Sequence, residues 1–198
     1  MKKVIKLFKK NYGYAYLQML KNNGIHTDTI RILLEQGIIE RVKPGLYKLV
    51  DFPVVAEQGM IDLCLSMKRA VVCLHSALSY HDLTTTVPAF VMIALPRGSK
   101  AAKVIYPPFQ VFYFSDNNYH SGIEESKTSG GSFRVYNPEK TIVDCFRYRK
   151  RLGEDLALEG LRKYLTSRNV SINKLVEYAK KGRLYNVMEP YMKASLAI

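Results

Sequence analysis

The spacing of apolar residues in the first fifty positions constrains this chain more than any other feature. Val4, Ile5, Leu7 and Phe8 alternate with lysines over residues 2 to 10 as in a short amphipathic helix, which Asn11 and Gly13 end. Ala15, Leu17, Met19 and Leu20 predict a second short helix over Tyr14 to Asn22, stopped by Asn22-Asn23-Gly24. His26-Thr27-Asp28 opens a third helix, with Ile30, Leu33 and Leu34 facing inward, Thr27, Asp28, Arg31 and Glu35 facing outward, and Gly37 closing it. The pattern then changes: residues 38 to 42, Lys43-Pro44-Gly45 and residues 46 to 50 read as strand, turn and strand. Three short helices and a hairpin within residues 1–50 make a winged helix-turn-helix.

Asp51-Phe52-Pro53 interrupts the pattern and marks the expected boundary with a second domain, residues 54–198. Helical spacing resumes over 54 to 68 and 76 to 81, and the β-branched and aromatic runs at 90 to 95, 110 to 114 and 133 to 136 read as strands. Ser126 to Ser132 has the composition of a flexible loop. From Pro138 the chain is helical, first with Ile142, Val143, Cys145 and Phe146 on one face, and later with Ile172, Leu175, Val176 and Ala179. The predicted fold is α/β of the α+β kind: a winged helix-turn-helix, then a mixed α/β domain with a helical C-terminus.

The 198 residues carry a net charge of +13. Residues 1 to 50 contribute ten basic and three acidic side chains, and residues 140 to 183 contribute twelve and five. An excess so placed favours an anionic partner, of which nucleic acid is the commonest for a small protein. The N-terminal run begins like a signal peptide, but lysines interrupt its apolar residues and no small-residue cleavage site follows. No apolar stretch approaches the roughly 20 residues needed to span a bilayer. Cys64, Cys73 and Cys145 are odd in number, form no CxxC pair and sit among apolar residues, the usage of a reducing compartment. A cytoplasmic protein with no membrane partner is expected.

In a winged helix-turn-helix the third helix enters the major groove while the hairpin lies along the backbone. Thr27, Asp28, Thr29 and Arg31 are therefore the candidate base readers, and Arg41, Lys43 and Lys48 the candidate phosphate contacts, with the Lys2, Lys3, Lys6, Lys9 and Lys10 face adding to the field. The competing reading is a protein-docking module in which Arg31 pairs with Glu35 one turn on. A second basic face is expected from Arg147, Arg149, Lys150, Arg151, Arg162, Lys163, Lys180, Lys181 and Arg183, either binding nucleic acid, RNA included, or simply solvated.

Catalysis finds little support. Cys73, His75 and His81 are nominal metal ligands at spacings that match no zinc pattern, and Gly130-Gly131-Ser132 lacks the Lys-Ser/Thr ending of a phosphate loop. Asp144 and Glu139 are too few to make a hydrolytic site. No catalytic residue, metal or cofactor is expected. A nucleic-acid-modifying enzyme and a winged-helix regulator without a toxin partner are the alternatives.

The order of four segments carries a resemblance: Arg41-Val-Lys-Pro-Gly-Leu-Tyr47, Ser76-Ala-Leu-Ser-Tyr-His-Asp-Leu83, Val91-Met-Ile-Ala-Leu-Pro-Arg97 and Tyr136-Asn-Pro-Glu-Lys-Thr-Ile-Val-Asp144. Over nearly its whole length the chain resembles the AbiEi antitoxins of type IV abortive-infection systems, although that family often has Gly where Asp82 stands and Arg where Lys140 stands. The resemblance implies an antitoxin that represses its own promoter through the winged domain. It also implies that the second domain counteracts an AbiEii-like nucleotidyltransferase toxin without forming a stable complex with it.

Overall fold

The computed structural model of the chain describes residues 2–196; Met1, Ala197 and Ile198, the outer ends of the two expected domains, lie outside the described residues. Two compact units are present, the first comprising Met1–Lys68, Lys100–Pro108 and Ser126–Phe133, the second Arg69–Ser99, Phe109–Glu125 and Arg134–Ile198. The fold is mixed, with helices around one small antiparallel sheet and one larger sheet of both strand senses.

In the first unit the elements are α1 (Lys2–Lys10), β1 (Tyr14–Tyr16), α2 (Leu17–Asn22), α3 (Thr27–Glu35), β2 (Ile39–Lys43), β3 (Leu46–Leu49) and α4 (Gln58–Ser66). The strands lie in the order β1-β3-β2, all antiparallel, so α1 to β3 form a winged helix-turn-helix. Val4 and Phe8 of α1, Leu20 of α2 and Ile30 and Leu33 of α3 share one core with Ala15, Ile39, Tyr47 and Leu49. Burying such side chains stabilises the unit by about 1.5 to 3 kcal/mol each.

Two features differ from the sequence expectation. Tyr14 to Tyr16 is a strand, pairing Tyr14 with Lys48, Ala15 with Tyr47 and Tyr16 with Leu46, and the helix begins only at Leu17. Alternation across the strand sends Ala15 into the core, while the two tyrosine hydroxyls donate to α4, Tyr14 to Asp62 Oδ1 at 2.6 Å and Tyr16 to the Leu65 carbonyl at 2.8 Å. Those bonds explain the second difference, a first unit that runs to Lys68 rather than stopping at residue 50. Helix α4 is tied to the winged sheet through the buried Asp62, which also accepts from Lys48 Nζ at 3.1 Å.

The remaining elements are β4 (Val71–Val72), α5 (Leu74–Tyr80), β5 (Val91–Pro96), β6 (Phe109–Phe114), α6 (Asp116–His120), β7 (Ile123–Thr128), β8 (Gly131–Tyr136), α7 (Pro138–Arg147), α8 (Arg149–Leu152), α9 (Glu154–Leu165), α10 (Ile172–Lys181) and α11 (Tyr185–Leu196); they belong to the second unit, except that β7 from Ser126 and β8 up to Phe133 are counted in the first. The sheet runs β6-β5-β4-β8-β7, with β5 parallel to β6, β4 antiparallel to β5, and β4 parallel to β8. The segment read as a flexible loop, Ser126 to Ser132, is instead the end of β7, a turn and the start of β8. Its Ser- and Gly-rich composition serves close packing rather than mobility, since a Cβ on Gly130 would lie 2.7 Å from Val55 Cγ2.

Helix α7 is the central buried helix. Every residue from Glu139 to Phe146 is buried, so its polar side chains as well as its apolar ones need partners inside. Asn137 caps it, accepting from Lys140 N at 2.9 Å, and Pro138 occupies the first turn. Thr141 Oγ1 donates to the Tyr136 carbonyl at 3.2 Å, Tyr164 OH donates to Glu139 at 2.7 Å, and Lys140 pairs with Asp144 one turn on.

His81, at the end of α5, hydrogen-bonds the same Tyr136 carbonyl at 2.7 Å and so carries its proton on Nε2. Burial lowers its pKa below the ordinary value of 6.5, outweighing the bond to Tyr136. The unfolded chain then takes up a proton first, so the His81 contribution to stability is whole above about pH 6.5 and is lost as the pH falls through the folded pKa. The urea midpoint of the second unit is expected to drop between about pH 7 and pH 5, and to drop less in His81→Gln, which keeps a neutral donor. An identical slope in both proteins would place the acid sensitivity elsewhere.

Candidate functional site

Helix α3 presents Thr27, Asp28 and Arg31 to solvent, with Thr29 half-buried, opposite the buried Ile30 and Leu33. The Arg31 guanidinium sits 3.5 Å from Asp28 and 3.9 Å from Glu35, and its side chain is 68 % exposed. Exposed pairs of this kind are worth about 0 to 1 kcal/mol. The Arg31 pairing weighed at the sequence level is therefore present, and it is weak enough to exchange for a stronger acceptor. With two carboxylates and one guanidinium, α3 itself is not basic; the positive charge lies on its neighbours.

Helix α1 exposes Lys2, Lys3, Lys6, Lys9 and Lys10 on the side away from Val4 and Phe8. Of the hairpin cations, Arg41 is exposed with its guanidinium 5.8 Å from the centre of the Tyr47 ring, and Lys43 is half-buried beside the turn. Lys48 differs from its two companions. Its ammonium is held between Glu40 and Asp62, 3.1 Å from each, and its side chain is only 21 % exposed. Burial by itself would lower the Lys48 pKa, but the two carboxylates outweigh it and leave the value raised. Lys48 is thus a structural cation that joins the sheet to α4, and its charge is already spent on carboxylates. Burial and the bond to Asp62 push the Tyr14 hydroxyl well above its ordinary range, and Gln58 Nε2 donates to the Tyr14 hydroxyl oxygen.

The nine cations expected on one second face are not brought together. Arg149 reaches the Phe146 carbonyl at 2.8 Å and Glu154 at 3.9 Å, Arg151 stacks over Phe112 and Lys180 over Tyr185, and Lys163 approaches Glu159 at 4.0 Å. Lys150 and Arg162 are exposed on α8 and α9. Arg147, Lys181 and Arg183 do converge, around a pocket of about 530 Å³ that Arg97 and Lys140 also line. Arg97 was legible only as the residue after a strand, and Lys140 only as part of a helix face; the pocket joins residues far apart in sequence.

At the back of this pocket Asp144 is buried against Lys140, with Arg147 Nε at 3.6 Å and Asn118 Nδ2 at 3.4 Å. Burial lowers the Lys140 pKa, a tendency that Asp144 opposes but does not overcome. The Lys140 ammonium also faces the rings of Tyr136 and Phe114 at 4.7 and 5.1 Å.

The residues weighed as metal ligands or catalytic groups have structural partners. Cys73 is buried, His75 Nε2 meets Thr86 Oγ1 at 2.9 Å, and Ser76 Oγ accepts from Met92 N at 2.8 Å. Among the described residues no three His, Cys, Asp or Glu side chains converge as a metal site would require.

No protein-family model and no curated protein matches the chain. Its fold is similar to that of the RV2827C protein from Mycobacterium tuberculosis, with a TM-score of 0.66 over 99 % of this chain and 80 % of that one, at 12 % identity. Identity that low shows a common fold and nothing about activity.

Proposed function

We propose that this chain is a DNA-binding transcription regulator acting through its winged helix-turn-helix. The supporting observation is the outward face of α3, where Thr27, Asp28 and Arg31 stand in solvent ahead of a hairpin bearing Arg41 and Lys43. In this reading Arg31 donates twice to a guanine edge, Asp28 accepts from a cytosine amino group, and Thr27 and Thr29 complete the reading surface. Arg41, Lys43 and the α1 lysines hold the phosphates. No helix among the described residues is long and apolar enough to cross a membrane, in keeping with a site of action in the cytoplasm.

The test is binding of the purified chain to the DNA upstream of its own gene against a scrambled duplex, across a salt series. Selective binding with a steep salt slope is expected. Arg31→Ala is expected to cost about 1 to 3 kcal/mol and relax sequence preference, while Lys43→Ala weakens every duplex alike and lowers the salt slope by about 1. Equal, weak binding to both duplexes would end the regulator reading.

The resemblance to AbiEi antitoxins supports a second role for the same chain: autorepression of a toxin–antitoxin operon, with the second unit opposing a nucleotidyltransferase toxin and doing no chemistry of its own. Co-expression with such a toxin separates the two roles. Full-length chain carrying Arg31→Ala and Lys43→Ala should still rescue growth while failing to repress; loss of rescue together with repression would tie both to the winged unit.

A further inference from the structure

The pocket between β6, α7 and the end of α10 concentrates positive charge that the fold neutralises only in part. Among the described residues that line it, five are cationic and none is Asp or Glu. Asp144 behind it serves Lys140 and Arg147, and Glu177 takes Lys181 at 2.6 Å. Arg97 and Arg183 have no carboxylate partner among the described residues. Gathering like charges in one concavity is unfavourable until an anion enters, and the low-dielectric walls strengthen the attraction when it does.

One of these cations is also held in place. Arg147 is fixed from two sides, by Asp144 and by the Gly182 carbonyl, to which its Nη2 donates at 3.1 Å. A Cβ at position 182 would lie 2.9 Å from Arg147 Nη2 and 3.0 Å from the Tyr178 carbonyl, so a side chain there would push the guanidinium aside. Next to it Arg183 adopts φ 55°, the left-handed residue of the turn that ends α10, where Leu184 N donates to the Ala179 carbonyl at 2.8 Å; that region costs a residue with a side chain about 1 kcal/mol or more. Neutral donors complete the wall: Asn117 and Ser121 line it, and the Tyr178 hydroxyl accepts from Asn137 Nδ2 at 3.0 Å, leaving its own proton to give.

We propose that this pocket binds a nucleotide carrying at least two phosphates, with the phosphates on Arg97, Arg147 and Arg183 and the base against Tyr113. A volume of about 530 Å³ exceeds what a single phosphate fills and falls in the range of small-molecule sites. Tyr113 lines the pocket with its ring 45 % exposed, whereas its neighbours Phe112 and Phe114 are buried. An exposed aromatic beside several guanidinium groups suits a ligand with one flat apolar face and one polyanionic end.

The test is calorimetric titration of the full-length chain with ATP, inorganic tripolyphosphate and adenosine at moderate salt. Saturable one-to-one binding of ATP is expected, with tripolyphosphate weaker and adenosine weaker still. Arg97→Ala and Arg183→Gly should each lower ATP affinity by about tenfold or more. Arg183→Gly relieves the backbone strain, so its melting temperature should hold or rise and its lost binding cannot be blamed on unfolding. Tyr113→Ala should weaken ATP and leave tripolyphosphate unchanged, and Lys150→Ala should alter neither. Absence of saturable ATP binding, or ATP binding indifferent to Arg97→Ala and Arg183→Gly, overturns the proposal. So does tripolyphosphate binding as tightly as ATP with Tyr113→Ala silent for both, or a single-stranded oligonucleotide that occupies these residues and is not displaced by ATP. Every residue involved belongs to the second unit, so failure here leaves the DNA-binding result as it stands.

Discussion

A chain carrying Asp144→Ala is expected to lose about 3 to 5 kcal/mol of stability, enough to unfold a marginal protein. Asp144 and Lys140 are 1 % and 3 % exposed, and the carboxylate also receives Asn118 and Arg147. Removing it strands an ammonium among Phe114, Tyr136 and the buried face of α7, where water cannot replace the lost partner. The deficit carries its own signature. Lys140 already has a lowered pKa through burial, and without Asp144 it falls further, so the folded variant sheds a proton that the unfolded chain keeps. The unfolded state then binds more protons over that range, and stability rises with pH until it nears the ordinary lysine value of about 10.4. Denaturant melts of Asp144→Ala between about pH 7 and 10 should therefore show partial recovery relative to the parent chain. A flat deficit would mean that the carboxylate matters for packing alone. The double variant Lys140→Met, Asp144→Leu should regain most of the loss, because the desolvation cost goes with the charges.

Asp62→Ala is expected to cost about 3 kcal/mol and to act on a different element. Its carboxylate is shared by the Tyr14 hydroxyl and the Lys48 ammonium, which with the Tyr16 hydroxyl are groups by which the winged sheet holds α4. Glu40 remains beside Lys48 after the substitution, which limits the penalty on the lysine, but the buried Tyr14 hydroxyl is left without its anion. Hydrogen exchange should accelerate over Gln58–Ser66 well before it does so in α1 to α3. Asp62→Asn, which keeps an acceptor for Tyr14, should lose roughly half as much. Uniform acceleration throughout the first unit would instead mean that α4 and the winged core open as one body.

These two carboxylates also show where reading a sequence runs out. Helices α1, α3, α7 and α10 were legible because one apolar stripe on each faces a core, and the hairpin of β2 and β3 because Pro44-Gly45 divides two short runs. Strand β1 was not, since three residues are too few for alternation to outweigh a neighbouring helical pattern. Asp62, Lys140 and Asp144 resembled the polar sides of helices; their burial depends on partners up to 48 residues away, as with Tyr14. Of the site residues, Thr27, Asp28 and Arg31 stand where the helical period put them, whereas the pairing of Lys48 was not legible, because a lysine on a strand looks the same whether it faces water or Asp62. The position at which Asp82 departs from the resembled family is itself informative. It adopts φ 57°, which glycine occupies freely and aspartate tolerates better than most residues.

The three-segment makeup of the first unit bears on how the protein is born. Residues 4 to 49 hold the whole winged core and leave the ribosome early, yet the unit also takes in Lys100–Pro108 and Ser126–Phe133. At about 5 to 20 residues per second, translation from residue 68 to residue 133 takes roughly 3 to 13 s. During that interval the nascent chain carries a formed winged core whose unit still lacks its last two pieces. Completion of the first unit is thereby timed to synthesis of the β7–β8 hairpin, and a chain halted between the two carries α3 with its unit unfinished.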